Sequence, residues 1–470
     1  MTAEEKEIEM LREAVEKSEK RIGYKIVQSD LNKNTMAIVE EFIKRRKLVC
    51  YGGTAVNNIL PKKAQFYNKN FELPDYDVFS PNAIADAKAL TDLFFAQGFE
   101  NVETRTAMNV GTYKVFVNFY AVADLTSLDP KLYQIFLKKG IKKDGIHYSP
   151  VNFLRMEMYK ELSHPQGEIK RWEKVYKRLN LLNKYFPLHD KCPNGLHFMR
   201  DFKGNKHLED KIYTTLKDIL LKEEDVIFIG GYATNLYKNR LNAQAQEKDQ
   251  IPDFDILATN AKKTAQEIKH KLNEKGIKHI TLLKKEEVWK IVPVHYEIRI
   301  DNSTVCVVYE TIACHSYNTV QEDNVQIKVA SIDTMLNFLF AFLFKDSTYY
   351  DENRIMCMAQ YLMQVQNKTK FKNKGLFKRF SVNCYGTQPT IETLRELKSE
   401  KFRTLKNKKT SSEYQKYFLR YNPLEEIEYK QKKMRKTAKK AIKRKAKENR
   451  TMKNRMIAKF INPLNLLYKK

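Results

Sequence analysis

Asp75 and Asp77, in the stretch Leu73-Pro74-Asp75-Tyr76-Asp77-Val78-Phe79-Ser80, stand two residues apart at the start of an expected short strand. Side chains alternate along a strand, so both carboxylates project from one face. Twenty-two residues before Asp75, Gly53 belongs to Tyr51-Gly52-Gly53-Thr54, which closes the apolar run Leu48-Val49-Cys50 and opens an expected helix. A Gly-Gly turn at a helix N-terminus presents backbone N–H groups to phosphate oxygens. Together the two stretches describe a place to hold a nucleoside triphosphate and its metal ions.

A third carboxylate, Asp124, ends the apolar run that starts at Val115 and is expected on a neighbouring strand. Three carboxylates converging from neighbouring strands can bind two divalent ions, which about 3.5–4 Å apart clamp an in-line phosphoryl displacement. In that scheme Asp75 and Asp77 bridge both ions, and Asp124 completes the one that activates the attacking hydroxyl. Gly52, Gly53 and the Thr54 hydroxyl would hold the β and γ phosphates. Lys160, Arg171 and Lys174, from the helices expected over 149–182, would neutralise the triphosphate. Oxygen-only ligands select Mg²⁺ or Mn²⁺ over zinc.

The pattern returns further along. Ile229-Gly230-Gly231-Tyr232-Ala233-Thr234 repeats the Gly-Gly turn, and Ile251-Pro252-Asp253-Phe254-Asp255-Ile256 repeats the carboxylate strand. Gly53 to Gly231 and Asp75 to Asp253 are both offset by 178 residues. Either motif alone arises by chance; two copies with one gap indicate an internal duplication. Pairing the run Val115–Asp124 with 305–314 sets Cys314 opposite Asp124, so the second copy is expected to lack the third carboxylate. Glu310, of the same strand parity, is the alternative for a displaced one. The first copy reads as a site and the second as a scaffold. Within the first copy a hairpin is expected at Asn109-Val110-Gly111, followed by one long strand from Tyr113 to Thr126. Phe186-Pro187 and Cys192-Pro193-Asn194-Gly195 mark a linker between the copies.

The chain has 470 residues, room for two or three domains, and 42% hydrophobic residues, enough to bury real cores. Its 85 Lys and Arg against 57 Asp and Glu give a net charge of +28, which favours polyanionic partners. The last fifty residues hold 17 Lys and Arg against 4 Asp and Glu. Lys430 to Lys459, without aromatic residues before Lys459, Gly or Pro, is expected to be a solvated basic helix that contacts a nucleic-acid backbone. No apolar run approaches the length of a membrane span, and the charged N-terminus lacks the pattern of a secretory signal. The six scattered cysteines form no C-x-x-C pair, so reduced thiols are expected, with neither a zinc site nor a disulfide framework.

The Gly-Gly–22–Asp-x-Asp spacing with a distal Asp resembles the nucleotidyltransferase superfamily of DNA polymerase β type. The wording Tyr51-Gly52-Gly53-Thr54-Ala55-Val56-Asn57-Asn58, the Asp75-Tyr76-Asp77 strand, Val122-Ala123-Asp124-Leu125-Thr126 and the run from Tyr159 to Leu179 is similar to the poly(A) polymerase catalytic subunits of large cytoplasmic DNA viruses. It is nearest to the giant-virus proteins of mimivirus kind, with poxvirus and asfarvirus enzymes more distant. The resemblance implies an α+β fold: two tandem nucleotidyltransferase-like domains, each a mixed sheet flanked by helices, plus a basic helical C-terminal extension. It divides the chain into an N-terminal helical segment (1–35), a catalytic domain (36–188), a degenerate copy (189–365) and a basic region (366–470) that is a candidate for RNA binding. It also implies ATP as substrate, a single-stranded RNA 3′ end as acceptor, two Mg²⁺ or Mn²⁺ ions, and a cytoplasmic viral factory or virion as location. Self-association and a separate processivity partner both stay open. The alternatives are another transferase of the same superfamily, CCA-adding or oligoadenylate-synthesising, or a non-catalytic RNA-binding polymerase subunit.

Overall fold

The computed structural model describes residues 2–68, 70–188, 192, 200, 202–241, 251, 253–345 and 351–464. The linker residues Pro193-Asn194-Gly195 and Pro252 lie outside them. After α1 (Ala3–Gln28), which buries none of its residues, the first copy runs in order through α2 (Asp30–Arg46), β1 (Val49–Cys50), α3 (Gly52–Ile59), β2 (Tyr76–Ser80), α4 (Ala83–Ala96), β3 (Val102–Thr106), β4 (Thr112–Val117), β5 (Tyr120–Ser127), α5 (Pro130–Lys139), β6 (Ile141–Lys143), β7 (Ile146–Tyr148), α6 (Val151–Leu162) and α7 (Trp172–Tyr185). The second runs through α8 (Lys206–Leu220), β8 (Ile227–Ile229), α9 (Gly230–Leu241), β9 (Phe254–Ala258), α10 (Ala261–Glu274), β10 (Ile280–Lys285), β11 (His295–Ile300), β12 (Ser303–Glu310), β13 (His315–Glu322), β14 (Val325–Ala330), α11 (Ile332–Phe342) and α12 (Glu352–Lys368). The C-terminal region adds β15 (Cys384–Tyr385), α13 (Ile391–Leu405), α14 (Ser412–Phe418), β16 (Arg420–Tyr421) and α15 (Pro423–Leu464).

The strands form two sheets, ordered β16-β3-β4-β5-β2-β1-β7-β6 and β10-β11-β12-β9-β8-β14-β13-β15. Strip β16 from the first and β15 from the second, and the two sheets have one topology. In each, the carboxylate strand lies parallel to its neighbour (β2 with β5, β9 with β12), and the Gly-Gly strand lies antiparallel to it. The tandem α+β architecture is therefore a structural duplication, with α5 as an insertion in the first copy. The residues after 365 close both sheets: β15 pairs with β13 and β16 with β3. Helix α15 touches α4 at its start and is otherwise an exposed basic helix among the described residues, as the sequence pattern expects.

Equivalent helices hold the copies together. Helix α11 is wholly buried and packs against α6, with Tyr159 stacked on Phe340 at 6.0 Å. Phe79, Phe136 and Phe153 of the first copy meet Trp289 and Phe344 of the second in edge-to-face contacts, Phe79 and Trp289 at 5.5 Å. The indole N–H of Trp289 also donates to the Ser127 carbonyl at 3.1 Å. Such aromatic pairs each contribute about 0.5–1.5 kcal/mol beyond their buried area, so the second copy forms part of the first copy's core.

Three sequence-based expectations are corrected here. The long strand from Tyr113 to Thr126 is two strands: Asn118 and Phe119, at φ 47° and 70°, turn β4 back into β5. Asp301 and Asn302, at 46° and 66°, make the same turn between β11 and β12. Asn and Asp tolerate this left-handed conformation, but the apolar run around Asn118 hid the break. With the turns matched, the residue opposite Asp255 is Val307, as Asp124 is opposite Asp77, and Cys314 falls outside the strand. Glu310 accepts from the Ala261 N–H at 3.1 Å, at the start of α10. Finally, four cysteines are disulfide-bonded, Cys192 to Cys357 and Cys314 to Cys384, with Cα–Cα distances of 5.5 and 5.2 Å, while Cys50 and Cys306 are free and buried. The partners are 165 and 70 residues apart, so only the fold brings them together.

Candidate active site

The two-residue strand β1 places the site. The Tyr51 N–H donates to the Asp77 carbonyl at 2.9 Å, so the chain leaves β1 directly beside the carboxylate strand. It then turns into α3 through Gly52, at φ 68°, a conformation that L side chains rarely adopt. A Cβ on Gly52 would also lie 2.6 Å from Asp77 Oδ2, so the glycine lets that carboxylate sit against the helix start. The next glycine is constrained from the other side. A Cβ on Gly53 would lie 2.6 Å from the Tyr67 hydroxyl and 2.7 Å from Arg178 Nη1. The first N–H groups of α3 have no partner within the helix and carry the positive end of its dipole.

Asp75 is exposed and directly precedes β2, Asp77 is half-buried within it, and Asp124 lies opposite Asp77 on β5. The Asp77 carboxyl is pushed from its ordinary 3.8 up to about 7, first by burial, then by the charges of Asp75 and Asp124. Burial also raises Asp124, against the pull of Lys114. Lys114 stands across from Asp124 on β4, its Nζ 2.5 Å from Asp124 Oδ2. Among the described residues no three His, Cys, Asp or Glu side chains are gathered tightly enough to hold an ion; Lys114 occupies Asp124 instead. The donor set nonetheless fits hard divalent cations: carboxylate oxygens only, one of them raised first by burial and then by its like-charged neighbours.

Thr54 is buried, and its hydroxyl donates to the Asp75 backbone carbonyl at 2.6 Å. In this arrangement it fixes the Asp75 loop to α3, and its one proton is committed there. Arg171 lies 3.3 Å from Glu161 and its charge reaches Asp77. Lys174 is held below its ordinary value, first by Arg178, then by burial and Arg171, against the opposing pull of Glu72 and Asp75. Arg171 and Lys174 are thus within electrostatic reach of Asp77 and Asp75. Lys160, 3.4 Å from Glu157, sits nearer the domain interface, where its charge acts on the buried His164 and His315.

Two site residues were not found from sequence. Arg178 donates to the Tyr67 hydroxyl at 2.6 Å and lies 4.7 Å from the Phe66 ring centroid, over the start of α3. Its spacing of four from Lys174 and seven from Arg171 puts all three on one helical face, and that was the available signal. Lys114 had none, because its role depends on strand register.

In the second copy Arg200 sits between the two carboxylates. Its guanidinium pairs with Asp253 through Nη1 and with Asp255 through Nη2 at 2.5 Å, and the Arg200 backbone N–H donates to Asp253 Oδ1 at 2.7 Å. All three side chains are buried. A fixed, buried cation spans both carboxylates of the second copy, and Val307 stands in place of Asp124.

Residues 37–168, which contain the first copy's carboxylates and Gly-Gly turn, match the family model described as "Poly(A) polymerase catalytic subunit". The "Putative poly(A) polymerase catalytic subunit" of African swine fever virus (strain Badajoz 1971 Vero-adapted) is 33% identical over 158 residues, covering 33% of this chain and 33% of that protein. The protein of the same description from Acanthamoeba polyphaga mimivirus is 30% identical over 160 residues, covering 33% of this chain and 27% of that protein. The chain thus spans about a third or less of the length of these curated relatives. The crystal structure of the Megavirus polyadenylate synthase has the same fold, with a TM-score of 0.76 at 20% identity over 93% of this chain and 90% of that one.

Proposed function

We propose that this chain, with its match to the poly(A) polymerase catalytic family in the first copy, is a template-independent poly(A) polymerase that adds AMP from ATP to the 3′ end of viral mRNA. The observation that carries the reading is one cross-strand pair: Asp77 directly opposite Asp124, with Gly52 against Asp77, Arg178 over the start of α3, and the charges of Arg171 and Lys174 reaching Asp77 and Asp75.

Each residue's task follows from its position. Asp75, Asp77 and Asp124 would hold two Mg²⁺ or Mn²⁺ ions. Bound there, such ions supply Lewis-acid polarisation of the acceptor hydroxyl and neutralise the leaving pyrophosphate. The free N–H groups of Gly52, Gly53 and Thr54 receive the β and γ phosphate oxygens. Arg171, Lys174 and Arg178 take the charge that the pyrophosphate gains as the α-phosphorus–oxygen bond breaks. Lys114 pairs with Asp124 and keeps it aimed into the cleft, where Asp124 would serve as a ligand to a divalent ion. Lys160, toward the interface, contributes to the field rather than to a contact. Thr54 acts by fixing the Asp75 loop. The second copy, closed by Arg200, supports the first through α11 and Trp289. The location that goes with this activity is a cytoplasmic viral factory or virion.

The experiment is primer extension on single-stranded RNA with each of the four nucleoside triphosphates supplied separately. ATP alone should extend the primer without a template. Ordered addition of CTP and ATP, or extension that needs double-stranded RNA, would replace this reading with another transferase of the superfamily.

A further inference from the structure

The register that aligns the carboxylates continues beyond them. Asp77 is opposite Asp124, Asp124 is opposite Lys114, Lys114 is opposite Arg105, and Arg105 is opposite Arg420. One straight row therefore crosses five strands, from the metal-binding carboxylates to the sheet edge. Residues directly opposite share a face of the sheet, and the face in question is open. Thr104 and Tyr421, the alternating neighbours, point to the other side: Thr104 bonds Thr91 of α4 at 2.5 Å, and Tyr421 bonds Asp92 of α4 at 2.6 Å. The Lys114, Arg105 and Arg420 side chains are 40, 52 and 64% exposed.

Folding does not ask for this row. Like charges directly opposite each other destabilise a sheet, and here Lys114–Arg105 and Arg105–Arg420 are two such pairs in succession. Glu103 lies 2.5 Å from Arg105 and 3.9 Å from Arg420, Glu425 lies 3.8 Å from Arg420, and the two carboxylates offset part of the repulsion. In the second copy, which has the same topology, the corresponding row reads Asp255, Val307, Glu297 and Leu283, without a cation. The fold is thus built once with the row and once without it. The cations occur beside the open carboxylates. Aromatic rings flank them: Phe116, next to Arg105 at 5.9 Å, and Phe119 and Tyr120 at the hairpin tip, 79 and 77% exposed. Three residues past Arg420, the basic helix α15 begins.

We infer that Lys114, Arg105 and Arg420 form a track for the phosphates of the acceptor strand, running from its 3′ end at Asp124 across the sheet edge onto α15. A row of cations beside exposed aromatic rings is the chemistry that holds single-stranded nucleic acid without reading its sequence. Strand spacing puts Arg105 about 10 Å and Arg420 about 14 Å from Asp124, beyond the one phosphate of a dinucleotide and within reach of a longer acceptor. The inference rests on the transferase reading above.

The test uses the full-length chain with Arg105→Gln and Arg420→Gln together. Binding of a fluorescent oligoadenylate of about 16 nucleotides is read by anisotropy across a salt series, and extension is read separately on that primer and on a dinucleotide. Lys262→Gln with Lys263→Gln, exposed at the start of α10, removes equal charge elsewhere. Each lost phosphate contact lowers the salt slope by about 0.7, so the row variant should lose about 1.4 of slope and bind about 10–25-fold more weakly at 0.1 M salt. Its KM for the dinucleotide should equal that of the wild type. Unchanged binding and slope overturns the track, and so does equal weakening in the α10 control. Equal loss on both acceptors would instead assign the arginines to the reacting end and also overturn it. Because binding is measured without nucleotide, a wild type that binds RNA but extends nothing would count against the transferase reading and leave the track standing.

Discussion

Replacing Asp77 with Asn should stabilise the metal-free protein at pH 8, although it removes a residue at the centre of the site. The folded chain raises this carboxyl from 3.8 to about 7, first by burial and then by Asp75 and Asp124. A carboxyl raised on folding favours its protonated form in the native state, so stability falls as pH climbs from about 4 and levels off above about 7. At about 1.4 kcal/mol per unit, the ionised Asp77 costs roughly 4 kcal/mol at pH 8. Water at the mouth of the cleft screens this to about 2 kcal/mol. An amide of the same shape removes that cost and should raise the melting temperature by about 2 °C. The difference should shrink toward pH 5, where the wild-type carboxyl is largely protonated. Mn²⁺ or Mg²⁺ should raise the melting temperature of the wild type at pH 8 and do little for the variant. Thermal melts at pH 5 and 8, with and without the ion, measure all four values. If Asp77→Asn melts below the wild type at pH 8, or gains as much from the ion, the reasoning about this carboxylate is wrong.

Arg200→Met leaves Asp253 and Asp255 buried without their cation and should cost about 3–5 kcal/mol in urea unfolding; adding Asp253→Asn and Asp255→Asn should recover most of it. Arg178→Ala, which strips the guanidinium from above the start of α3, should raise the KM for ATP about 10-fold while binding of RNA stays unchanged; steady-state kinetics beside a binding titration checks both. Burial holds His315 at about 3 and His295 at about 4, so both stay neutral in the folded chain while the unfolded chain takes up protons near 6.5. Stability should therefore fall as pH drops from about 6.5 toward 4, by about 1.4 kcal/mol per unit for each, and His315→Gln should flatten that slope in a pH series of melts.

The duplication was readable because both its signals, Gly-Gly and Asp-x-Asp, lie within one stretch of about 30 residues and recur at one offset. That sufficed for the carboxylate pair and the α3 turn, while the α+β class came from the family resemblance. Asp124 was found because an apolar run ended on it. Register across strands was not readable: the turn at Asn118-Phe119 is buried in an apolar run, so Cys314 was taken as the counterpart that Val307 turned out to be. The same blindness hid Lys114, Arg105 and Arg420, which matter only as neighbours across β4, β3 and β16. Arg200 precedes the pair it closes by more than 50 residues with no motif around it. The disulfides join cysteines whose spacing carries no pattern.

The central claim is that the first copy transfers nucleotides and the second does not. It is tested most directly by ATP-dependent extension of an RNA primer with two variants side by side. One carries Asp75→Asn and Asp77→Asn; the other carries Asp253→Asn, Asp255→Asn and Arg200→Met, which empties the second pocket of charge without orphaning any. The first should lose at least about 10³-fold in rate with its RNA binding intact, and the second should extend primers as the wild type does. Extension surviving in the first variant, or lost in a folded second one, would contradict the account.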